Sequence, residues 1–112
     1  MQITSLADLT QQHLDIARQA NSGRSAHTVY GGHTKTLRQT LIALVGGQKL
    51  DEHENPGEAT LQVLHGQVRL LAGADEHSAA TGDLLIIPDA RHSLEALDDS
   101  VILLTVAKIG QP

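Results

Sequence analysis

Aromatic side chains are almost missing: Tyr30 is the single Phe, Trp or Tyr in 112 residues, so any core is built from Leu, Ile, Val and Ala. Such a chain has no set of rings on which bases or sugars could stack. Cysteine is absent altogether. That excludes a disulfide framework, a thiolate nucleophile and a Cys-ligated zinc, and it leaves histidine to carry any metal chemistry. Basic residues are also few, eight against thirteen acidic ones for a formal charge of −5, and they are scattered along the chain. A nucleic-acid footprint needs clustered Lys and Arg, so no direct nucleic-acid partner is expected. The longest apolar run, Val101 to Ala107 with Thr105 inside it, is far shorter than the ~20 residues that cross a bilayer. The N-terminus lacks a basic region followed by a hydrophobic stretch, so the expectation is a cytoplasmic protein without a membrane partner.

What is present suits one globular domain. Hydrophobic residues make up 40% of the chain and glycines number ten, an ordinary apolar share that a disordered chain would not carry. At 112 residues, two separate cores would each be too small to fold unaided. Ser5 followed by Asp8 reads as a helix cap, and Leu6, Leu9, His13, Ile16, Ala17 and Ala20 recur at helical spacing until Asn21-Ser22-Gly23. Residues 1–23 are therefore expected to form a helix packed on a single β domain over 24–112. Beyond Gly23, short segments rich in Val, Ile, Leu and Thr alternate with Gly, Pro, Asn and Asp, which predicts about eight antiparallel strands in two packed sheets. His65-Gly66 between apolar runs reads as a two-residue hairpin.

Several chemical motifs fail on spacing. Gly46-Gly47-Gln48-Lys49 lacks the arrangement of a phosphate-cradling loop, and no serine stands in a Gly-x-Ser-x-Gly elbow. His13 fits the inner stripe of the helix, His65 reads as a turn residue and His77 belongs to an exposed strand. Two histidines stand out. His53 lies in the acidic stretch Asp51 to Glu58, read as a loop before a core strand, and His92 follows the strand Leu84 to Ile87 and Pro88.

These stretches resemble the two motifs of the cupin superfamily. The first motif's frame of Gly, His-x-His, Glu and Gly is met by Gly47, His53, Asn55, Ala59 and Gly66. The second, of Gly, Pro, Gly, His and Asn, is met by Gly82, Pro88, Ala90, His92 and Ala96, with one residue fewer before the His. The resemblance covers about residues 36 to 107. It implies an all-β fold, an RmlC-like jelly-roll barrel (a double-stranded β-helix) with the N-terminal helix beside it. Metal-binding cupins use three His and a Glu. Residue by residue the resemblance transfers only His53 and His92, a set that holds a divalent transition metal weakly. Gln62 is a third candidate donor to the same cavity, although simple alternation from Ala59 points it outward and its inward placement needs a bulge. His27, His33, Glu54 and Glu58 are remoter candidates.

The leading expectation is thus a sensor, regulatory or accessory cupin that binds a small molecule in the barrel cavity through His53, His92 and Gln62. The competing one is a metal-dependent dioxygenase, isomerase or decarboxylase with His53 and His92 as ligands. Cupins commonly pair through their early strands, so a homodimer is expected through the helix and first strand.

Overall fold

The structure, a computed structural model, describes residues 1–53 and 57–108; for residues 52 and 53 it describes the backbone. Ser5 opens α1 (Leu6–Gln19), its side chain accepting the Asp8 N–H at 3.2 Å, which satisfies one of the donors that a helix start leaves orphaned. The strands are β1 (Arg24–Tyr30), β2 (Leu37–Leu44), β3 (Lys49–His53), β4 (Glu58–His65), β5 (Gln67–Ala72), β6 (Asp75–Ala80), β7 (Leu84–Ile86), β8 (His92–Ala96) and β9 (Ser100–Ala107). They form a five-stranded sheet in the order β1-β2-β9-β4-β7 and a four-stranded sheet in the order β3-β8-β5-β6, with antiparallel pairing throughout. This is the jelly-roll architecture.

One strand more is found than the eight expected. The last three residues of β3, 51–53, begin the stretch read from the sequence as an acidic loop. β3 is an edge strand paired only to β8, and an edge tolerates charged side chains that a central strand would have to bury.

The reading of His65-Gly66 as a hairpin is also corrected. β4 pairs with β7 and β9 in one sheet, whereas β5 pairs with β6 and β8 in the other. The dipeptide is therefore the joint where the chain crosses between sheets. Only Gly66 takes a positive φ, +94°.

Between the sheets lies an aliphatic core that includes Leu44, Leu61, Val63, Val68, Leu70, Leu94 and Ile102. A second cluster, with Leu14 and Ala17 of α1 over Leu41, Ala43, Val101 and Leu103, seals the helix onto the outer face of the five-stranded sheet. At that end β9 is covered on both sides, and so it reads as the continuous apolar run Val101 to Leu104 instead of alternating.

Candidate binding site around His92

β8 alternates strictly: His92, Leu94 and Ala96 are buried, while Ser93 and Glu95 are half-buried. His92 therefore shares the inward face with two core residues, and it is only 5% exposed. Its Nδ1 lies 2.9 Å from the carbonyl oxygen of Ala90. A carbonyl only accepts, so Nδ1 carries the proton and, in the neutral ring, Nε2 keeps the lone pair. Opposite His92, the backbone of β3 places His53 as its register partner after a shift following Leu50. Two positions distant in sequence are thus brought face to face by a single ladder step.

The other expected donors are elsewhere. Gln62 is not on the inward face: Ala59, Leu61 and Val63 are buried, and Gln62 is exposed on the opposite side of β4. The register of β4 runs without interruption from Glu58 to Val63, so no bulge turns Gln62 inward. Glu58 is exposed as well. His33 is exposed, and His27 is turned towards α1. Glu54 and Asn55, and the side chain of His53, lie outside the described residues. Ala59, which stands where metal-binding cupins carry their carboxylate, is buried with only a methyl group to offer. Among the described residues, no three His, Asp or Glu side chains form a group that would hold an ion.

A polar cluster that local spacing did not reveal joins the helix to the sheet. His13 Nδ1 lies 2.6 Å from Ser25 Oγ, and the ring centroids of His13 and His27 are 5.3 Å apart. Burial, and secondarily the neighbouring His27, hold the His13 pKa below the ordinary imidazole value. The three residues are chemically typed in the sequence. Their meeting depends on how α1 crosses β1, which periodicity does not encode. Farther along the helix, Arg18 Nε donates to Asp99 Oδ2 at 2.8 Å, while the Gly46 N–H donates to Asp99 Oδ1 at 2.9 Å.

An open groove of about 780 Å³ lies on the outer side of the five-stranded sheet, lined by Thr4, Leu6, Tyr30, Leu37, Gln39 and Leu103 among others. Its titratable lining residues are Tyr30 and Lys35, which do not make an acid–base or nucleophile set.

No protein-family model matches the chain. It is 33% identical over 81 residues to the uncharacterized protein YeaR of Escherichia coli (strain K12), an alignment covering 60% of this chain and 68% of YeaR. The fold matches the conserved SPY1581 protein of unknown function from Streptococcus pyogenes, with a TM-score of 0.79 at 23% identity over 99% of this chain and 93% of that one. A cupin-2 domain containing protein from Shewanella frigidimarina matches with a TM-score of 0.71 at 14% identity over 94% of each chain. The chain belongs to the same family as YeaR, and its fold is that of the cupins. An RmlC-like cupin from Desulfovibrio desulfuricans also shares the fold of this YeaR relative, with a TM-score of 0.67 at 24% identity over 76% and 82% of the two chains. Among the described residues of this YeaR relative, no helix is long and apolar enough to cross a membrane.

Proposed function

We propose that this cupin binds a small, partly polar molecule between its sheets at the His53–His92 end, and serves as a sensor, regulatory or accessory protein. The observation that carries the reading is His92 itself: a buried imidazole on an otherwise aliphatic inward face, with one nitrogen committed to the Ala90 carbonyl and His53 as its register partner. A polar group on an otherwise aliphatic lining is what orients a small ligand in such a site. The donor set argues against a full metal centre. Three His and a Glu do not fit here, because the sequence offers Asn55 and Ala59 at two of those places and Ala59 is a buried methyl.

A second reading, a metal-dependent enzyme of the dioxygenase, isomerase or decarboxylase type, draws on the same hydrogen bond. Histidines that ligate metals typically donate their other ring N–H to a carbonyl or carboxylate, as His92 does to Ala90.

Elemental analysis of untagged protein, paired with a thermal-shift screen of small carboxylic acids, polyols and amides, separates the two. The binding reading predicts well under one equivalent of transition metal. It also predicts a ligand that at about 100 times its Kd adds about 2.7 kcal/mol, or roughly 10 °C in Tm for a domain of this size, and that loses this effect in His92→Ala. Close to one equivalent of metal, lost in His53→Ala or His92→Ala, would replace it with the enzyme reading.

A further inference from the structure

The inner wall of the five-stranded sheet is not apolar along its whole length. In β2, Leu41 and Ala43 lie under α1, while Ile42 and Leu44 belong to the core between the sheets. The pairing of β2 with β9 runs without a shift from Leu37 to Leu44, so the same alternation puts Arg38 on the inward side. Its register partner Val106 packs against the core and is paired in turn with the buried Ala59 of β4. The inward row Arg38–Val106–Ala59 thus carries one cation, two aliphatic side chains and no carboxylate. Glu58, next to Ala59 along β4, belongs to the opposite face.

This row lies at the His92 end of the sandwich. Segments 45–48, 66, 81–83 and 97–99 join β2 to β3, β4 to β5, β6 to β7 and β8 to β9, all at the other end, and connections this short stack each strand over its successor. β2 therefore lies over β3, the strand of His53, and β9 over β8, the strand of His92. Counted from the end with those connections, Arg38 is the seventh residue of β2 and His92 the fifth of β8. The arginine stands about two residues, or ~7 Å, nearer the rim.

Arg38 is exposed there, and among the described residues it has no hydrogen-bond or ion-pair partner. By contrast Arg18, Arg24, Lys49, Arg69 and Lys108 each meet a carboxylate or a carbonyl. In a chain with thirteen Asp and Glu, an inward-facing guanidinium that pairs with none of those described is available to a ligand.

We infer that the ligand of this site is a small hydroxy-carboxylate, its carboxylate held at the rim by Arg38 and its hydroxyl deeper, at His92. The inference rests on the barrel-site reading above and gives it a ligand class. A guanidinium fork matches a carboxylate with two parallel hydrogen bonds, and no acid on the row competes for it. On His92, Nδ1 is committed to the Ala90 carbonyl, which leaves Nε2 for a ligand. A hydroxyl can donate to a bare ring nitrogen or accept from a protonated one, so it suits either state of the ring. Packed sheets lie ~10 Å apart, and an arginine and a histidine reaching inward take up most of that space. The ligand is thereby limited to a few carbon atoms.

Isothermal titration calorimetry with lactate and glycerate, against lactamide and propionate, tests the inference on wild type, Arg38→Gln, Arg38→Lys and His92→Ala. Circular dichroism reports that each variant is folded. Lactate and glycerate are expected to bind, and lactamide, which lacks the charge, and propionate, which lacks the hydroxyl, to bind at least about tenfold more weakly. Arg38→Gln should weaken lactate about ten- to hundredfold and leave lactamide unchanged, and Arg38→Lys should weaken lactate less. Lactate and lactamide binding alike, lactate indifferent to Arg38→Gln, or no binding of either hydroxy-carboxylate would overturn the inference. The barrel-site reading fails separately: binding of lactamide or a polyol that His92→Ala abolishes would keep it while the hydroxy-carboxylate is given up, and binding of every probe that survives His92→Ala would sink both.

Discussion

Replacing Gly66 by Ala strikes the joint at which the chain leaves one sheet for the other. At φ +94° an L-residue costs about 1–2 kcal/mol. The added Cβ would also press on Ser100 Oγ, 2.5 Å from the Asp99 carbonyl oxygen and 2.9 Å from Ser100 Cα. Those backbone atoms cannot retreat easily, because Ser100 is buried and its hydroxyl is tied to the backbone of Gln67 and Asp98 at 2.7–3.1 Å. Overpacking of this kind adds about 1–3 kcal/mol. The sum, about 2–5 kcal/mol, is a large part of the ~5–15 kcal/mol that holds a domain folded. Gly47 is the internal control: its φ is +93°, yet a Cβ there meets nothing within 4 Å, so Gly47→Ala carries the conformational cost alone. Urea denaturation followed by far-UV circular dichroism should show Gly66→Ala losing at least twice the stability that Gly47→Ala loses. Equal losses would refute the claim that the crossover is wedged against the start of β9.

Three further outcomes follow from named contacts. Leu14→Ala, which empties a buried position under α1, should cost about 2–4 kcal/mol and speed amide exchange in the helix more than in the sheets. The Gly46 N–H, then Arg18, hold the Asp99 carboxyl below the ordinary carboxylate range. The stability this contributes is complete above ~3.9 and is lost as pH falls through the lower folded value. Asp99→Asn should therefore be less stable than wild type at neutral pH and indistinguishable in strong acid, by denaturation at each pH. For His13, whose folded pKa is depressed by burial and by His27, the unfolded ring takes up its proton first, near ~6.5. Wild type should then lose stability as pH falls below that value, and His13→Gln should lose less over the same interval.

Much of the fold is legible along the chain because it is written in local periods. Ser5 and the stripe through Leu6, Leu9 and Ile16 mark α1 to within a residue of its Leu6–Gln19 span. What escaped is set by tertiary partners. β3 is polar because its edge is open to solvent. The 65–66 turn looks like a hairpin until the pairing of β4 with β9 and of β5 with β8 is known. His92 was legible from its position after Pro88, whereas the contact that fixes its tautomer comes from a backbone carbonyl two residues away, which no spacing rule announces. Gln62 failed for the simplest reason: β4 keeps its period of two.

The most direct measurement is a long-range ¹H–¹⁵N spectrum of the histidine rings at neutral pH, recorded before and after adding zinc or a stabilising small molecule. The account predicts that His92 carries a proton on Nδ1, and that His92 and His53 respond first. A His92 protonated on Nε2 alone, or a response confined to His13 and His27, would contradict it.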